Sequence, residues 1–199
     1  SLQEQAWNAL GLKDFETALK LLHVLEAPAF RSFYFPDNYL LRGLIFKKMC
    51  QYLLAKSEVR TFHRQFDSTI EHLRRRVPLG DVRVVRRAVL LDDAVKRRTD
   101  FLDSLRNERE LVDDYRRRWK KSGFDVALRE LYDEELRDQL REWHATFDHV
   151  AERVVRDLLD IQEQMDVLDY EIDLDVATRI KDSPIGLVSS ETGVAAGDY

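Results

Sequence analysis

Apolar residues return along the second half of the chain at Leu136, Leu140, Trp143, Phe147, Val150, Val154, Leu158, Ile161, Met165, Leu168 and Ile172. The steps are 4, 3, 4, 3, 4, 4, 3, 4, 3 and 4. That is a helical seam close to a heptad, with one phase shift at Val150–Val154–Leu158. The faces between seam positions are crowded with Asp, Glu and Arg, and no proline interrupts them. A helix of this length must lay its seam on something. A second, weaker seam precedes it. Val84, Ala88, Leu91, Val95, Leu102, Leu105, Val112 and Trp119 keep heptad phase within a helix expected from Val82 to Lys121. Asp81 is a fair N-cap for it. Ser122-Gly123 fits a helix stop with Lys120 and Lys121 just before it. Two long helices joined by so short a polar turn predict an antiparallel hairpin, a coiled coil over residues 82–181 with its turn at 122–123.

The first 77 residues carry a shorter rhythm. Ala6, Trp7 and Leu10 stripe a first helix that Gly11 should end, and Asp14 can cap a second bearing Phe15, Ala18, Leu22 and Leu25. Ala27-Pro28 closes that pair. Pro36 opens a third helix carrying Leu40, Leu41, Gly43, Leu44 and Phe46. Cys50-Gln51 is its turn, and Tyr52, Ala55, Val59, Phe62 and Phe66 stripe the fourth. The two pairs superimpose with one offset of 37: Ala6 on Gly43, Phe15 on Tyr52, Ala18 on Ala55, Leu22 on Val59, Leu25 on Phe62. Small residues recur where helices would cross closely, and a ring recurs where a gap must be filled.

These positions resemble the tetratricopeptide repeat, whose usual period is ~34. The resemblance covers roughly the first third of the chain. A third echo, Phe124-Asp125-Val126-Ala127 with Leu131, lies 72 residues beyond Tyr52. The fold class expected is all-α: tetratricopeptide-like helix-turn-helix repeats over 1–77, a long helical hairpin over 82–181, and a flexible tail over 182–199.

Composition adds limits. Charged residues make up 35% of the 199, and the formal net charge is −5, which disfavours general attraction to nucleic acid. The clusters Arg74–Arg76, Arg86–Arg87 and Arg116–Arg118 read as solvated helix faces. The single cysteine, Cys50, excludes an internal disulfide. No apolar run approaches the roughly 18 residues needed to span a bilayer.

The chemistry that could hide here is thin. His144 and His149 are five apart and lie on different faces, and no His-x-x-x-His or Cys-x-x-Cys pair exists. Asp169, Glu171, Asp173 and Asp175 alternate like the start of a calcium loop. The positions requiring glycine and glutamate hold Leu174 and Ile180, which rejects it. The same alternation could mark a strand, but continuity with the seam favours helix. There is no Gly-rich phosphate loop and no nucleophile elbow. No enzyme, metal or cofactor is expected.

The run Tyr34-Phe35-Pro36-Asp37-Asn38-Tyr39-Leu40-Leu41, then Phe46-Lys47-Lys48-Met49-Cys50-Gln51-Tyr52, then the helical arm, is similar to repeat-bearing lipoproteins and periplasmic proteins of bacterial gliding-motility envelope complexes. The similarity spans about Phe33–Phe62 plus the layout. It implies a structural subunit in the periplasm or at the outer membrane. The lipid-attachment cysteine of such lipoproteins is not in this chain, so that anchoring does not carry over. The alternative is a cytosolic adaptor that binds a peptide through the repeats and oligomerises through the coiled coil. Either way the partners are other proteins, and a homo-oligomer stays open. By repeat position, Trp7 and Leu10 in the first unit and Lys47 and Lys48 in the second should face a partner-binding groove, the lysines attracting an acidic or C-terminal carboxylate. Trp7 has a competing role, burial between the two repeat helices.

Overall fold

The computed structural model describes residues 1–28, 34–119 and 123–182, and the side chains of all of these except 116–119 and 182. It is all-helical: α1 (Leu2–Gly11), α2 (Phe15–Leu25), α3 (Asp37–Lys48), α4 (Tyr52–Arg74), α5 (Arg83–Leu90), α6 (Asp93–Trp119) and α7 (Phe124–Asp182), with no strand among the described residues. The alternation at 169–176 is therefore helical. At 1.5 Å per residue the 59 residues of α7 span about 90 Å.

Helices α1 and α2 pack together, as do α3 and α4. Ser1 caps α1 with its hydroxyl on the Glu4 amide, and the Glu4 side chain returns the bond. Asp14 accepts from the Thr17 amide to start α2. Ala6 and Gly43, Ala18 and Ala55, Leu22 and Val59, and Leu25 and Phe62 are all buried. The turns recur as well. Lys13 donates to the Leu10 carbonyl and Asp14 to Ala9; 37 residues later, Cys50 donates to Lys47 and Gln51 to Phe46. Lys13 and Cys50 both sit in the left-handed region, at φ 61° and 60°. Each turn thus satisfies the orphan carbonyls of the preceding helix by a Schellman pattern without a glycine. Gly11, read above as the breaker, is the last residue of α1; the chain reverses two residues later, at Lys13.

Two clusters of buried side chains seat α7, one against this block and one against α5 and the start of α6. In one, Leu40, Ala55, Val59, Phe62, Phe66 and Ile70 meet Leu158, Ile161, Met165, Leu168 and Ile172 of α7. In the other, Val82, Val85, Val89 and Val95 meet Phe147, Val150 and Ala151. The α7 seam is therefore buried from Phe147 to Ile172 apart from Val154, which is half-buried. Towards the start of α7 it is shallower: Trp143 and Leu136 are half-buried and Leu140 is exposed, because α7 has fewer neighbours there.

The helix expected from Val82 to Lys121 is two helices. It breaks at Leu91-Asp92, where the Asp92 carboxylate accepts from the Ala94 amide and caps α6. Asp81 lies in a single 3-10 turn, and Val82 occupies the N-cap. The buried face of α5 is Val85 and Val89, one position off the expected Val84 and Ala88, and Leu91 is exposed. Along α6 the expected Val95, Leu102, Leu105 and Val112 are buried. Partners between α6 and α7 run in opposite senses: Asp92 with Arg153, Arg98 with Glu142, Thr99 with Trp143, Glu108 with Tyr132, and Arg109 with Asp133. The expected turn falls partly outside the described residues, which exclude Lys120, Lys121 and Ser122; Gly123 has φ 68°. The tail beyond Asp182 and the side chain of Trp119 also lie outside them. The third echo does not pack as the first two do: Phe124 and Leu131 are 56% and 62% exposed at the start of α7.

Candidate functional site

The four residues expected to face a partner have three different fates. Leu10 is buried with Ala6, Ala9, Ala18 and Leu22. Trp7, on the same helix, is 37% exposed, so it is not sealed between α1 and α2. Lys47 and Lys48 close α3, where cations favour the helix C-terminus. Lys48 is exposed, whereas the Lys47 ammonium is held by Glu171 of α7, with Asp175 at 3.8 Å. No hydrogen bond or ion pair among the described residues links Trp7 or Leu10 to either lysine.

The acidic ligand expected for Lys47 thus comes from the same chain. Helix α7 lies against α3 and α4 with its acids to either side of the seam. On the α4 side, Lys56 meets Asp169 at 2.7 Å and Asp173 at 2.8 Å. Burial pulls the Lys56 ammonium towards a lower pKa, but its hydrogen bonds to the two aspartates outweigh this and set it above the ordinary lysine value. His63 extends the row, 3.0 Å from Asp67 and 3.3 Å from Asp166. The alternating acids at 169–175 are therefore a clasp. Between the two rows Leu168 descends onto Gly43, so close that a Cβ on that glycine would sit 2.7 Å from Leu168 Cδ2.

Towards the N-terminal side, Arg42 binds Glu26 and, at 3.0 Å, Glu58, and its guanidinium lies 5.2 Å from the centre of the Tyr39 ring. Gln3 Nε2 donates to Asp37 at 2.6 Å, tying α1 to α3. Burial raises the Asp37 carboxyl above its ordinary range despite that bond. Burial likewise raises the Tyr34 phenol, whose hydroxyl has no hydrogen-bond partner within the described structure.

Cys50 is exposed in its turn, with Arg179 Nη2 at 2.9 Å and the same guanidinium over the Tyr52 ring. Among the described residues no group of acidic, histidine or cysteine side chains is arranged to hold a metal ion. The concavities near residues 94–141, such as that lined by Arg106, Asp133, Leu136, Arg137 and Leu140, are open. No described helix is long and apolar enough to cross a membrane. Comparison with protein-family models, with curated proteins and with solved structures returns no match.

The clasp was only partly readable in advance. The acids at 169–175 and the lysines at 47 and 56 stand over a hundred residues apart, and only the packing of α7 on α3 and α4 pairs them.

Proposed function

We propose that this chain is a non-enzymatic scaffold that binds other proteins. In this reading residues 1–77 are two tetratricopeptide-like repeats and residues 82–181 an antiparallel helical hairpin. The observation that carries it is the turn geometry repeated at an offset of 37, with the same carbonyls accepting and the same residue left-handed. The opposed partners along α6 and α7 support the hairpin. Helix α7 covers the second repeat much as α3 covers the first, so the surface left for a partner is on the α1 side. Trp7 is its apolar anchor, Lys48 supplies positive charge, and Leu10 supports Trp7's helix from within.

The similarity over about Phe33–Phe62 supports a structural subunit of a bacterial cell-envelope complex of the motility type, in the periplasm or at the outer membrane. Fractionation of source cells with an antibody to this chain tests the location; recovery in the cytosol alone overturns it in favour of an adaptor. Trp7→Ala tests the site. Partner capture should fall with the melt nearly unchanged, whereas a large loss of stability would assign Trp7 to the core.

A further inference from the structure

Charge is segregated along this molecule. Residues 74–97 hold eight Arg and Lys against three Asp, while residues 157–178 hold eight Asp and Glu and no Arg or Lys. Within the basic segment, Arg83, Arg86 and Arg87 on α5 are exposed and take part in no ion pair among the described residues. They share the outer face of α5 with Leu90, 46% exposed, while Val85 and Val89 turn inward. Within the acidic segment, the clasp uses Asp166, Asp169, Glu171, Asp173 and Asp175. Asp157, Asp160 and Glu163 remain, exposed and without an ion pair among the described residues, and the last two share the outer face of α7.

Those two acids belong to a second stripe on α7. Asp160, Glu163, Val167, Tyr170 and Leu174 follow steps of 3, 4, 3 and 4, on the side of the helix opposite the buried Leu158, Ile161, Met165, Leu168 and Ile172. Val167, Tyr170 and Leu174 are 52%, 69% and 54% exposed. Apolar side chains at heptad spacing on an outer face mark a surface that another helix can cover.

We propose that the α5 face of one copy docks on this outer α7 stripe of a second copy, head to tail. Arg83, Arg86 and Arg87 meet Asp160 and Glu163, while Leu90 meets the Val167–Tyr170–Leu174 patch. The two faces cannot meet within one chain. α5 packs on α7 near Val150, and the centre of the stripe lies about 25 Å further along the same uninterrupted helix. A second copy is favoured over a polyanion because the chain carries net charge −5 and itself presents, on α7, an acidic and apolar stripe complementary to the basic and apolar α5 face. Different faces on the two partners make the contact heterologous, so each added copy exposes a fresh pair of faces. Neither face includes the α1 surface.

Sedimentation equilibrium of the full chain tests this, from about 10 µM to about 1 mM, in about 50 mM and about 500 mM NaCl. At low salt the average mass should climb past twice the 23.5 kDa monomer and fall back at high salt. Arg86→Glu with Arg87→Glu, and separately Asp160→Lys with Glu163→Lys, should each remain monomeric with unchanged melting curves. An equimolar mixture of the two variants should restore the climb, since each reversed face finds a reversed or native complement. A wild type that stays at the monomer mass, a mass that stops at the dimer, or variants that assemble as the wild type does would each overturn the proposal. Should the wild type stay monomeric but bind phosphatidylglycerol vesicles through Arg86 and Arg87, the α5 face serves a membrane surface instead.

Discussion

Gly43→Ala adds one methyl group at the crossing of α3 and α7. That methyl would lie 2.7 Å from Leu168 Cδ2, where carbon atoms prefer about 3.5–4.0 Å. One partner must retreat by about 1 Å. Leu168 is 2% exposed and hemmed in by the cluster around Phe62 and Met165, so it has little room to retreat. Overpacking of this kind costs about 1–3 kcal/mol, and the better helix propensity of alanine returns about 1 kcal/mol. The net effect should be a loss of about 0–2 kcal/mol. Leu168→Ala alone should cost about 2–5 kcal/mol through the cavity it leaves. Combined, the changes should partly cancel, because the new methyl enters the vacated space. The double variant should be more stable than the sum of the two by about 1–2 kcal/mol. Urea unfolding followed by circular dichroism and by tryptophan fluorescence measures all four corners of the cycle. Additivity within about 0.5 kcal/mol would mean that Leu168 does not press on Gly43, and the docking of α7 on α3 would be wrong.

The α1–α2 turn gives a paired test: Lys13→Gly should stabilise by about 0.5–1 kcal/mol by relieving the left-handed residue, and Gly11→Ala should stabilise by up to about 1 kcal/mol within the helix. A loss of stability in thermal melts of either variant would contradict that turn geometry. Tyr34→Phe removes a buried hydroxyl that has no partner and should raise stability by about 1 kcal/mol; a drop in the urea midpoint would argue that the hydroxyl is bonded. Asp37 gives a pH dependence. Its folded pKa is raised by burial, so the stabilisation from its proton is complete below the unfolded carboxylate value and is lost as pH rises through the folded one. Asp37→Asn should therefore melt above the wild type at neutral pH, with the gap closing on acidification; a gap constant with pH would reject this assignment.

The helical class and most of the core were legible because burial follows periodicity. The α7 seam and the pairs offset by 37 could be read directly, since each buried position lies on a stripe that its own neighbours define. The break at Leu91-Asp92 is hidden in the sequence because Leu91 continues the apolar rhythm, although Asp92 is a residue type that caps helices. The register error on α5 has a similar origin. Val82, Val84, Val85 and Val89 offer more than one stripe, and only contact with Phe147 and Val150 selects Val85 and Val89. The α1–α2 turn misled because glycine is the usual left-handed residue, while Lys13 takes that role; the turn expected at Cys50-Gln51 is where α3 gives way to α4, with Cys50 left-handed. Among the site residues, Leu10 was placed on the open surface, whereas its contacts with Ala18 and Leu22 put it inside. Lys47 does meet carboxylates, but those of α7.

Because α7 is one uninterrupted helix, it works as a ruler with a fixed pitch. It engages the valine cluster around Phe147–Ala151 and the repeat block from Leu158 to Ile172. Inserting one residue between these stations turns one against the other by about 100°, so the two stripes cannot both stay seated. Inserting seven turns them by only about 20° and moves them apart by about 10 Å. The spacing between the valine cluster and the repeat block can therefore change only in steps close to whole helical turns, such as seven, eleven or eighteen residues, and other lengths swing one stripe away from its seat.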